Sequence, residues 1–130
     1  MENLGVKDFR NLEVWEEARS LTLKFHWASS RFPKDQPEGL STRVRNACIS
    51  LWANIAEGCA GKDVNESIHC IRTSMDMAAE LESLLQVSAE LNYLNKEEYT
   101  DLRENLIEVK RMLSALLEKF TGQKKSDVKN

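Results

Sequence analysis

Apolar side chains recur along this sequence in steps of three and four. They do so in four separate runs, with prolines, glycines or turn residues between them. That spacing puts the apolar positions on one face of an α-helix, because a turn takes 3.6 residues. The first run is Val14, Ala18, Leu21, Phe25 and Ala28, and Phe32-Pro33 stops it, since a residue before proline is pushed out of the α region. The second is Val44, Ala47, Cys48, Leu51 and Ile55, opened by Ser41 as a capping hydroxyl and closed by Gly58 as a left-handed cap. The third holds Val64, Ile68, Ile71, Met75, Ala78, Leu85 and Ala89, with Glu82 falling where an apolar residue is due. The fourth is Tyr99, Leu102, Leu106, Val109, Leu113, Leu116 and Phe120. Its start carries a capping box, Asn95 with Glu98, and a staple pair, Leu94 and Tyr99.

Helices over about 9–31, 41–58, 64–92 and 96–120, joined by short connections, predict an all-α protein. The expected fold is an up-down-up-down antiparallel four-helix bundle forming one domain over 1–122, with a disordered polar tail over 123–130. Two prolines and five glycines in 130 residues are too few for a loop-rich β protein. No apolar run reaches the ~20 residues of a membrane span, and Met1–Arg10 lacks the layout of a signal peptide. An odd set of cysteines, Cys48, Cys59 and Cys70, without CxxC spacing agrees with a reducing compartment, so the expected location is cytoplasmic, with no membrane partner.

The order and spacing of several short motifs resemble one family. Leu12-Glu13-Val14-Trp15-Glu16-Glu17-Ala18, Phe32-Pro33-Lys34, Gly39-Leu40-Ser41 and Arg45-Asn46-Ala47 come in sequence, followed by Ala53-Asn54-Ile55-Ala56-Glu57-Gly58. Ala79-Glu80-Leu81-Glu82-Ser83 and Glu90-Leu91-Asn92-Tyr93-Leu94 complete the set, which spans roughly 9–120. Together they resemble the four-helix bundle proteins encoded by intervening sequences in bacterial 23S ribosomal RNA genes. The resemblance implies a protomer that assembles into a ring-shaped homopentamer with a central channel, has no established enzymatic activity, and is associated with RNA by gene location. It also implies distant kinship with the accessory protein of diversity-generating retroelements, which contacts nucleic acid and a reverse transcriptase. Where the family usually carries a basic and serine stretch, Cys59–Glu66 here holds one cation and two anions, and Arg45 is followed by Asn46 rather than a second arginine.

Charge divides the function classes. Eighteen Lys and Arg against 21 Asp and Glu give −3, unlike a dedicated nucleic-acid binder. Locally, Arg31, Lys34, Arg43 and Arg45 gather around the first connection as candidate nucleic-acid contacts. Residues 61–92 carry two cations and six anions, which suits a basic protein partner better than a phosphate backbone. This leaves a protein-interaction module, retroelement accessory-like or antitoxin-like, as the second reading.

Catalysis is not expected. Glu66 and His69 form one Glu-x-x-His pair of the di-iron type, but a second would need a glutamate at position 23, which is leucine. No metal or cofactor is therefore assigned. Cys70 adjoins His69, but helix neighbours point about 100° apart. Asn54, Glu57 and Glu82 are instead expected to form a polar network that fixes helix register, because an unpaired carboxylate on a core stripe is costly. Trp15, Trp27 and Trp52 lie off the principal stripes and are the candidate oligomer interface, large aromatics being enriched in interfaces.

Overall fold

Four helices run in the order α1 (Glu13–Ser29), α2 (Leu40–Cys59), α3 (Val64–Glu90) and α4 (Lys96–Lys129). They belong to a computed structural model that describes residues 12–34, 39–61 and 63–129. Each packs on the next, and α4 returns against α1, so α1 and α3 stand on opposite corners of an up-down-up-down bundle. The inner faces of all four close one core, with Leu21, Leu51, Ile55, Ile71, Leu81, Leu106 and Leu113 almost wholly buried.

The helix ends follow local chemistry. Glu98 N–H donates to Asn95 Oδ1 at 2.7 Å and Asn95 N–H to Glu98 Oε1 at 3.0 Å, the reciprocal box expected of that pair. Asp63 caps α3 by accepting from Glu66 N–H. At the other end of α3, Asn92 sits at φ 63° while Tyr93 N–H reaches Ser88 O and Asn92 N–H reaches Ala89 O. This is a Schellman closure, with asparagine supplying the left-handed residue.

Three boundaries differ from expectation. Gly39, at φ 61°, precedes α2, so the helix begins at Leu40 and Ser41 lies inside its first turn. Gly58 is an ordinary helical residue rather than a left-handed cap. Its missing Cβ matters because one built there would stand 3.0 Å from Ile71 Cδ1 and 3.2 Å from Cys70 Cβ. The helix α4 does not stop at Gly122 but continues to Lys129, in place of the disordered tail. Gly122 meets no side chain, and lysines near a helix C-terminus favour the helix dipole. Residues 9–11, expected to open α1, lie outside the described residues.

Candidate functional site

The three tryptophans separate into two situations. Trp15 on α1 and Trp52 on α2 meet across the α1–α2 seam with ring centroids 5.5 Å apart and planes tilted by 40°, and both are half-buried against the core. The Trp52 indole N–H is buried without a hydrogen-bond partner among the described residues. Trp27, by contrast, is 62% exposed near the end of α1, with the His26 ring edge-on to it at a centroid distance of 5.2 Å. Leu23, one turn earlier, is also exposed, and so is Ile49 on α2. The Thr22 hydroxyl donates to Cys48 O, which sets Leu23 and Ile49, the next residues on each helix, at the same level.

The four candidate phosphate contacts do not converge on one surface. Arg31 reaches across to Glu98 of α4 and also donates to Trp27 O. Arg43 turns the other way and pairs with Glu80 of α3 at 3.5 Å. Arg45 Nε donates to Ser29 Oγ at 3.1 Å, between α1 and α2. Lys34 is exposed in the connection that follows α1. The basic end is thus divided over three flanks, and two of its guanidinium groups are matched by carboxylates.

The polar network is corrected as well. Asn54 Nδ2 donates to Ser50 O at 2.8 Å within its own helix. Glu57 Oε1 accepts from Cys70 Sγ at 3.9 Å. Glu82 points outward and accepts from Lys110 Nζ of α4 at 2.7 Å, and the lysine holds its carboxyl below the usual carboxylate range. The three therefore do not share a network, and Glu82 interrupts no core stripe.

The buried polar groups that do fix helix register were not apparent as such in the sequence. Ser67 Oγ donates to Gly58 O at 2.5 Å, and Ser74 Oγ to Leu51 O at 2.8 Å, both bridging α3 to α2. Asn105 on α4, almost fully buried, donates to Glu17 Oε2 at 3.0 Å while its own Oδ1 stays unpartnered among the described residues. The only available signal was that each lies at core spacing with a short polar side chain.

The three thiols lie inside the bundle. Burial pushes Cys48 up to about 12 and Cys59 up to about 11, while burial and the neighbouring Glu57 raise Cys70. Since the thiolate is the reactive form, native protein at pH 8 should react with a thiol reagent orders of magnitude more slowly than protein unfolded in guanidinium. Three thiols should then titrate. Rapid native labelling of any one would show that its helix face is open. Among the described residues no three His, Cys, Asp or Glu come together to hold a metal, and no helix is long and apolar enough to cross a membrane.

Comparison with known proteins agrees with this architecture. A crystal structure of a protein of unknown function from the S23 ribosomal protein family of Bacteroides thetaiotaomicron matches with a TM-score of 0.74 at 18% identity. The match covers 81% of this chain and 95% of that one, and at this identity it shows the shared fold alone. The sequence matches no curated protein. Residues 10–115 match the 23S rRNA-intervening sequence protein family, and the chain belongs to that family.

Proposed function

We propose that this protein is a non-enzymatic, self-assembling four-helix scaffold of the cytoplasm, built as a homo-oligomer of pentameric form. The observation that carries the reading is the outward apolar set Leu23, Trp27 and Ile49, which a lone bundle would leave in water. Membership of the intervening-sequence family supports it, because the four-helix protomer is the unit such a ring would repeat. Light scattering at tens of micromolar should give a mass several times the 14.9 kDa of the chain. A 14.9 kDa species at that concentration would remove the reading.

Association with RNA is a secondary part of this proposal. The family name supplies the motive, and Arg31, Lys34, Arg43 and Arg45 supply the cations. The pairs Arg31–Glu98 and Arg43–Glu80 are exposed, and each costs only about 0–1 kcal/mol to open. Repetition around an oligomer would add avidity to contacts that are individually feeble. Affinity for structured ribosomal RNA should then fall steeply with salt, and binding that ignores ionic strength would exclude phosphate contacts. The second reading, a module for a basic protein partner, rests on the exposed acids of α3, including Asp76, Glu82 and Glu90.

A further inference from the structure

We infer that the lysine-bearing end of α4, which projects beyond the bundle, is a contact for the phosphate backbone of RNA. The inference rests on the RNA-association reading above and adds an anchor at the opposite end of the molecule from Arg31, Lys34, Arg43 and Arg45.

Charge is segregated along α4. Residues 96–108 hold five acids against two cations, whereas residues 109–129 hold six cations against two acids. The helix also outruns its neighbours, with 34 residues against 17, 20 and 27. Phe120 is its last buried side chain among the described residues. Lys119, beside it, lies near enough to Cys59, the last residue of α2, for its charge to act on that thiol. Lys124 comes four residues after Phe120, on the face where the core stripe would continue, yet it is exposed. A Cβ on Gly122 would meet nothing within 4 Å. Residues 121–129 therefore carry the helix about 13 Å past Phe120, at 1.5 Å per residue.

The cations of this end are available where others are not. Lys24, Arg31, Arg43, Lys110 and Arg111 each pair with a carboxylate. Lys119, Lys124 and Lys125 are exposed, and among the described residues no carboxylate pairs with them. The side chains around them select the partner. Thr121, Gln123 and Ser126 stand among the lysines, and no apolar side chain is exposed between Thr121 and Ser126. A protein partner needs an apolar centre to its contact, whereas phosphate oxygens are held by Lys, Ser, Thr and Gln side chains. The acids of α3 and of the first half of α4 repel a polyanion from the flanks of the bundle, so the projecting end is where it can approach. Contacts of this kind hold the backbone and read no base sequence.

The test is fluorescence anisotropy of a labelled RNA hairpin titrated with the full chain across about 50 to 200 mM salt. Lys124→Gln combined with Lys125→Gln should weaken binding more than ~10-fold at the low end, at unchanged mass in light scattering. It should also flatten the slope of log affinity against log salt by about one or more, since each phosphate contact contributes roughly 0.7–0.9. Lys124→Arg with Lys125→Arg keeps the charge and should bind like the parent. Lys96→Gln with Arg103→Gln removes as much charge from the acidic half of α4 and should leave both readouts unchanged. Both lysines lie beyond the core, so helix content should persist, and Lys119→Gln serves as a second variant if the helix end frays. Parent-like binding by the glutamine variant, or an equal loss in the Lys96 and Arg103 control, would overturn the site while leaving RNA association intact. So would loss of binding in the arginine variant. Tighter binding of polyglutamate than of the hairpin would assign the extension to acidic proteins and overturn it as well. A parent that binds no RNA at the lowest salt would remove the RNA reading and this inference with it.

Discussion

Replacing Gly58 with valine should destabilise the bundle by about 3 kcal/mol and lower its melting temperature by on the order of 10 °C. Gly58 lies on α2 where it packs directly against α3. A Cβ at this position would already stand 3.0 Å from Ile71 Cδ1 and 3.2 Å from Cys70 Cβ. The isoleucine methyl can rotate aside, but Cys70 Cβ is fixed to the α3 backbone, so the helices must separate. Two γ carbons add a second collision. The Ser67 hydroxyl, which donates to Gly58 O at 2.5 Å, would then lose its partner in a buried site. Alanine is the informative control, because helix propensity gains about 1 kcal/mol and offsets part of the strain. In an Ile71→Val background, which lacks the Cδ1 atom, Gly58→Ala should cost measurably less than in the parent. Thermal unfolding at matched protein concentration would show this, since assembly makes the midpoint concentration-dependent. A Gly58→Val protein as stable as the parent would mean that the α2–α3 approach is looser than described.

The sequence conveyed helix number and order well because long amphipathic segments announce themselves. Val14, Ala18, Leu21, Phe25 and Ala28 on α1 are all buried as their spacing requires, and the Asn95–Glu98 box closes as written. On α3 the stripe expected from hydrophobicity is offset from the buried one, although both contain Ile71, Ala78 and Leu85. The apolar line Val64, Ile68, Ile71, Met75, Ala78, Leu85 and Ala89 follows hydrophobicity alone. The buried line is Ser67, Ile71, Ser74, Ala78, Leu81, Leu85 and Ser88, in steps of four and three throughout. Three serines hid it. A serine counts as polar in any periodicity argument, yet its hydroxyl can donate to a carbonyl and then fit a tight helix crossing, as Ser74 does to Leu51 O. The shift also removes the anomaly at Glu82, which on the corrected stripe faces outward.

Helix geometry spreads the basic and aromatic candidates over different surfaces. Arg31 follows the end of α1, whereas Arg43 and Arg45 lie two positions apart on α2, where each residue rotates by about 100°, so their guanidinium groups leave on different flanks. Sequence proximity near a helix end is a poor guide to a shared surface. The tryptophans lie off the principal stripes. Their position implied an environment other than the centre of the core, and the structure divides them between a half-buried seam and open solvent. Nothing in the spacing could reveal that the Trp15 and Trp52 rings would meet, since that depends on the relative height of two helices.

Leu81→Ala should remove about 3–4 kcal/mol of stability, whereas Glu82→Gln, one position along, should change it by less than ~1 kcal/mol. Leu81 is fully buried in the central cluster. Truncation there loses the transfer energy of the removed carbons and leaves a cavity that four packed helices cannot collapse. Glu82 loses an exposed pairing with Lys110, in which solvent screens the charges and the entropy of holding two long side chains offsets most of the attraction. Its carboxyl is held below the usual range, so whatever the pair contributes is present above the unfolded carboxylate pKa and lost as pH falls through the lower folded value. Urea unfolding at neutral pH should therefore move the Leu81→Ala midpoint far to the left at unchanged slope and leave Glu82→Gln near the parent. The reverse order of costs would mean that α3 is turned by a residue about its axis. That would restore Glu82 to the core stripe.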